Sequence, residues 1–165
     1  VAGCSDGIHL KCNETQPVIR DCHFEGTMDD SIHIKISGDW ITKVESPRRV
    51  QIRHMDIGWD ATNLGTGKRA MIYDHDGRRE LATVQIVRYA PINYREGWVT
   101  LDRDVPEMEA GDSFYLEAVG EALIENCRFE TQLQRCILMH QPTVIRNCTM
   151  QDTKQGIVLG FGGQI

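Results

Sequence analysis

The residues best suited to chemistry in this sequence are three aspartates. Asp6 is followed by Gly7, and the pair Asp29-Asp30 comes 23 residues after Asp6. The phrases Asp6-Gly7-Ile8-His9-Leu10 and Asp30-Ser31-Ile32-His33-Ile34 match position by position at an offset of 24 residues. On successive turns of one repeat, Asp6 and Asp30 stack at a strand spacing of about 4.8 Å, with Asp29 beside them. Stacked like charges destabilise a sheet, so the cluster is hard to explain as scaffolding alone. One carboxyl of such a group holds its proton more tightly than its neighbours, which separates acid from base roles. A solvated turn or a calcium site would use the same residue types. The same alignment puts His9 and His33 in one column, and Lys11, Lys35 and His140 in another. Both columns point away from the inward Ile-x-Ile positions. They read as a polar substrate platform or as an ordinary solvated sheet face.

These residues need a repeating element to hold them. Pro17-Val18-Ile19-Arg20-Asp21-Cys22-His23-Phe24 recurs in type as residues 122–129 (Ala-Leu-Ile-Glu-Asn-Cys-Arg-Phe) and 143–150 (Thr-Val-Ile-Arg-Asn-Cys-Thr-Met). Each copy is followed by a second apolar-alternating phrase: Asp30 to Ile34, Arg135 to Met139, and Gln155 to Leu159. Units of about 20–24 residues hold short period-two strands linked by Gly, Asn and Asp, and have no room for a helix. That pattern predicts a short parallel β-helix of about four rungs. Its ladders are Ile19, Ile124, Ile145; Cys22, Cys127, Cys148; and Ile32, Ile137, Ile157, with Asp21, Asn126 and Asn147 stacked at a turn. Of the six cysteines (4, 12, 22, 127, 136, 148), the three in one ladder are expected as small buried hydrophobes. Strand spacing is far too long for an S–S bond of about 2.05 Å.

Residues 38–118 lack the repeat. Alternating runs at 49–53, 70–73, 83–87, 97–101 and 113–116, with turns at Asp76-Gly77 and Gly111-Asp112, predict a small antiparallel barrel or sandwich of five or six strands. The division expected is 1–37 plus 119–165 for the β-helix and 38–118 for the insertion. The fold class is therefore all-β. Repeat arrays normally carry polar caps, and none is evident at Val1 or Ile165, so the stack is expected to be part of a longer architecture or to self-associate through open ends.

Composition bounds the partners. The chain has 18 Lys and Arg against 24 Asp and Glu, a net charge of −6 with no basic run, which argues against nucleic acid. No apolar stretch reaches the roughly 18 residues of a membrane span, and no secretory signal is visible. Asn147-Cys148-Thr149 and Asn13-Glu14-Thr15 match the glycosylation pattern, but Asn147 belongs to the repeat. No CxxC or zinc-like Cys/His spacing occurs, and no metal or cofactor is expected.

The lone Asp6, the Asp29-Asp30 pair, the inserted barrel and the later phrases Ile124-Glu125-Asn126-Cys127-Arg128-Phe129 and Arg135-Cys136-Ile137-Leu138 resemble the β-helix core of glycoside hydrolase family 110, the α-1,3-galactosidases. More distantly, the pattern is similar to the polygalacturonases. The resemblance implies a right-handed β-helix and an inverting, single-displacement hydrolase acting on galactose-containing glycans, in the periplasm or outside a bacterial cell. It matches Asp29 to the general acid and Asp6 with Asp30 to the pair that activates water. Inverting enzymes hold acid and base about 6.5–9.5 Å apart, a reach that adjacent rungs can supply. His9, His33, Lys35 and Arg135 would bind the sugar. His33 and Lys35 stand where the family pattern has Asn and then His, and Lys35 suits an anionic sugar. The competing expectations are a non-catalytic carbohydrate-binding or structural β-helix, and a calcium-assisted polysaccharide lyase with Lys35 or Arg135 as base.

Overall fold

The computed structural model describes residues 5–11, 13, 15–36, 38–54, 64–117 and 120–160. Cys4, Cys12, Glu14 of the second glycosylation match, and both chain ends lie outside them. In chain order the strands begin with β1 (Ile8–Lys11), β2 (Val18–Arg20), β3 (His23–Glu25) and β4 (Ile32–Lys35). Next come β5 (Gly38–Ser46), β6 (Arg49–His54), β7 (Arg69–Tyr73), β8 (Glu80–Pro91), β9 (Glu96–Leu101) and β10 (Ser113–Leu116). The chain continues through β11 (Ala122–Glu125), β12 (Arg128–Glu130), β13 (Arg135–Met139), β14 (Thr143–Arg146), β15 (Thr149–Gln151) and β16 (Gln155–Leu159). No helix occurs among the described residues. The chain divides into two compact units, Val1–Ile36 with Ala118–Ile165, and Ser37–Glu117.

The first unit is built from three parallel sheets, ordered β1-β4-β13-β16, β14-β11-β2 and β15-β12-β3. Each turn of chain gives one strand to each sheet. The registers bring like to like: Ile19 with Ile124 and Ile145, Phe24 with Phe129 and Met150, and Ile32 with Ile137 and Ile157. Ile32, Ile34, Ile124, Phe129, Ile137 and Met139 are fully buried, and the rings of Phe24 and Phe129 stack at 5.1 Å. Close-packed columns of this kind are what hold short parallel strands together.

Two corners of each turn are set by backbone conformation. Asp21, Asn126 and Asn147 all take φ of 53–55°, and Asn126 Nδ2 donates to Asp21 Oδ1 at 3.0 Å. Asn and Asp tolerate this left-handed region better than other non-glycine residues, which explains the repeat position. A second left-handed column, Gly26, Thr131 and Asp152, lies one strand further on. It was not legible as a ladder because its three residue types differ.

Two ladder expectations need correction. Ile157 is 42% exposed and Leu159 48%, because β16 is the edge strand of its sheet and no described strand covers it. Cys127 and Cys136 are buried, but Cys22 and Cys148 are only half-buried, on the outer layers of their column. All four are free thiols. Cys22, Cys127 and Cys148 each donate to the carbonyl two residues earlier, at 3.1, 3.3 and 3.4 Å.

The second unit is a closed six-stranded antiparallel barrel, ordered β10-β5-β6-β9-β8-β7. Alternating Ile41, Val50, Ile52, Ile72, Val84, Ile86, Val99 and Phe114 fill it. Strand β5 does not stand out in the sequence, since two bulges, at Ile41/Lys43 and Val44/Ser46, break its alternation. Its first residues pair with the last strand, Gly38 opposite Tyr115. Deep in the barrel wall His54 Nδ1 and Asp39 Oδ1 lie 2.9 Å apart, both buried, with Tyr89 Oη 3.3 Å from His54 Nε2.

Candidate active site

Three successive turns of the first unit make the site. Gly7 donates its backbone N–H to the Asp30 carbonyl at 2.8 Å, and Ile8 to Ser31 at 2.9 Å. Ser31 in turn donates to the Arg135 carbonyl at 3.0 Å. A Cβ on Gly7 would lie 2.7 Å from the Ser31 carbonyl oxygen, so only glycine permits this approach. The backbone ladder thereby stacks Asp6, Asp30 and Arg135 at the head of β1, β4 and β13.

The loop carrying Asp29 and Asp30 is pinned from the neighbouring turn. Buried Gln132 accepts from the Thr27 N–H at 3.1 Å and from the Thr27 hydroxyl, and donates to the Phe24 and Glu130 carbonyls at 2.9 and 2.7 Å. Thr27 Oγ1 lies 2.9 Å from Ser31 Oγ. Sequence reading missed Gln132 and Ser31. Gln132 falls outside the repeated phrases, and a buried Gln has no pattern of its own.

Asp6, Asp29 and Asp30 each place a carboxylate oxygen within 4.8 Å of the others. Their surroundings differ. The Asp29 side chain is 47% exposed, with Oδ1 3.5 Å from Arg135 Nη2. Asp30 is 1% exposed and accepts from Arg135 Nε at 2.5 Å. Burial pushes the Asp30 carboxyl above its ordinary value; the Arg135 hydrogen bond and charge oppose this, and the charges of Asp6 and Asp29 add to it.

Asp6 faces the histidines. Its Oδ2 lies 2.7 Å from His9 Nδ1 and 3.2 Å from His33 Nδ1, while its Oδ1 accepts from the Asp30 N–H at 3.3 Å. The two rings stand side by side because His9 and His33 are register partners, with centroids 4.5 Å apart. His140 lies 5.6 Å beyond His33. Burial and the neighbouring His9 lower the proton affinity of His33, against the pull of Asp6 and Asp30. In the same column the next turn carries Leu138, which closes the polar strip. Lys35 is the register partner of Lys11 and shares the outward face of β4 with His33. All seven residues singled out in the sequence therefore fall on one sheet or on the loops leading into it.

No family model matches the chain. It is 26% identical over 164 residues to alpha-1,3-galactosidase B of Bacteroides thetaiotaomicron, an alignment covering 96% of this chain and 27% of that protein. The chain thus spans about a quarter of that relative's length, and its distant likeness is to a glycoside hydrolase.

Proposed function

We propose that the three parallel sheets form a short right-handed β-helix, the hand that parallel crossovers take in nearly all known cases. We further propose that the Asp6–Asp29–Asp30 cluster is the centre of an inverting hydrolase acting on galactose-containing glycans. Convergence of three carboxylates in three different environments is the observation that carries this reading; the likeness to a galactosidase supports the substrate class. Asp29, the exposed member, protonates the leaving glycosidic oxygen. Asp6 takes a proton from water as the water oxygen attacks the anomeric carbon and the glycosidic C–O bond breaks. Asp30, buried against Arg135, fixes the positions of both. His9, His33, Lys35 and Arg135 hold sugar hydroxyls, and Lys35 suits a sugar carboxylate.

The nearest carboxylate oxygens are closer than the roughly 6.5–9.5 Å between carboxyl groups that admits a water. Single displacement therefore needs the exposed Asp29 side chain to swing away from Asp6 when a sugar binds. Aryl α-galactosides with NMR of the first-formed anomer test the whole reading. Asp29→Asn is expected to lower turnover by about a thousandfold or more while the fold persists. Full activity in that variant, or a first product of retained configuration, overturns the mechanism. Sugar binding without turnover by the unaltered protein overturns the enzyme reading.

A further inference from the structure

Beyond hydrolysis, the geometry points to a second ligand at this sheet: we propose that Asp6, His9 and His33 form a binding site for a zinc-like divalent transition-metal ion. Two imidazole nitrogens, both Nδ1, converge on one carboxylate oxygen at 2.7 and 3.2 Å. For both to be hydrogen bonds, both Nδ1 atoms must carry protons aimed at the same oxygen. A single cation replaces both protons and satisfies all three atoms at once. Tetrahedral zinc with bonds of about 2.0–2.1 Å separates its ligand atoms by about 3.3 Å. The three donor atoms already lie within 4.8 Å of one another, so only small side-chain movements are needed. The donors come from register-paired residues and the turn just before β1, a rigid frame rather than a loose surface group.

The donor chemistry selects the metal class. Calcium and magnesium take oxygen ligands, whereas two imidazoles and one carboxylate suit zinc, cobalt, nickel or copper. Three protein ligands leave a fourth position open, for water or for a sugar hydroxyl. Under the function proposed above, on which this consequence alone rests, the ion occupies the oxygen of Asp6 that must receive a proton. Zinc is then an inhibitor of hydrolysis, and a chelator restores activity.

The test uses tag-free protein and Co²⁺ as the probe. One equivalent is expected to give the intense visible absorption of tetrahedral cobalt, without a thiolate-to-metal band, and to be displaced by Zn²⁺ but not by Ca²⁺. Asp6→Asn and His9→Ala are expected to abolish the spectrum while Cys127 and Cys136 remain shielded from thiol reagents, which shows that the sheet stack is intact. His23→Ala, an exposed histidine paired with Glu130 on another sheet, is expected to leave the spectrum unchanged. No cobalt spectrum, a thiolate band, or a spectrum that survives Asp6→Asn overturns the site. Hydrolysis without metal binding sinks the metal site and leaves the hydrolase; metal binding without hydrolysis does the reverse.

Discussion

The two units of this chain solve the same problem in opposite ways. The parallel stack buries side chains by repetition: its inner columns bring apolar residues into register, Ile19 with Ile124 and Ile32 with Ile137, and each turn needs its neighbours. The barrel closes on itself, so every strand is paired on both sides. Chemistry follows this division. Repetition brings residues 24 apart in sequence into register, which concentrates like charges and like rings on one sheet. Closure disperses its polar groups, and the buried pair of Asp39 and His54, with Tyr89 beside it, lies within the wall. The aromatic and thiol content divides along the same line. All three Trp and all four Tyr lie between residues 40 and 115, whereas all six Cys lie outside the barrel unit. Tryptophan fluorescence therefore reports the barrel, and thiol reactivity reports the stack.

That pair of signals lets the comparison be broken. Phe129→Ala removes a fully buried ring from the column that joins three turns, and is expected to cost about 3–5 kcal/mol. Thiols should become reactive at lower denaturant while the tryptophan transition stays in place; a joint shift would show that the two units unfold as one. Asp39→Ala is the mirror experiment, with an expected cost of about 2–3 kcal/mol from leaving His54 buried without its partner. Here the tryptophan transition should move and the thiol transition should not.

Alkali should separate the units more finely. Burial raises the thiols of Cys127 and Cys136 above 9.0, and raises the phenols of Tyr73, Tyr89 and Tyr115 above 10.0. A raised folded value means that the contribution to stability is complete below the unfolded value and is lost as pH rises through the folded one. The stack should thus begin to weaken from about pH 9 and the barrel from about pH 10, read by thiol labelling and by tyrosinate absorbance. Simultaneous onset would show that these groups do not govern the alkaline limits. The smallest expected effect belongs to the second corner column. Thr131, β-branched at φ 54°, is strained where its column partner is Gly26. Thr131→Gly should raise stability by up to about 1 kcal/mol in thermal melts followed by thiol reactivity.

Much of this was legible in the residues. The Ile, Phe and Asn/Asp columns stand in the sequence because a parallel ladder repeats side-chain type at fixed spacing. The cluster of Asp6, Asp29 and Asp30 follows from the same spacing. Its division of labour does not. That Asp30 is buried and held by Arg135, that Asp29 is exposed, and that Asp6 turns to the histidines all depend on the path of two loops. Those loops are pinned by Gln132 and Gly7 through contacts between turns. The exposed edge at Ile157 was likewise illegible, because alternation marks which face is apolar but not whether anything covers it.

The corner between the sheet of β1 and β4 and the sheet of β2 and β11 has a further consequence. The other two corners are locked by left-handed columns; among the described residues this one has left-handed backbone at Gly120 but no such column. Between β13 and β14 the connection is only His140, Gln141 and Pro142, whereas between β4 and β11 it is the whole of residues 36–121. The register partners on either side, Ile34 with Met139 and Ala122 with Thr143, are the same in both crossings. Because β5 and β10 pair with each other, the barrel leaves close to where it begins. In engineering terms the corner is a socket. A three-residue turn and an entire domain take equivalent places there, each linking strands that stay in register with their neighbours.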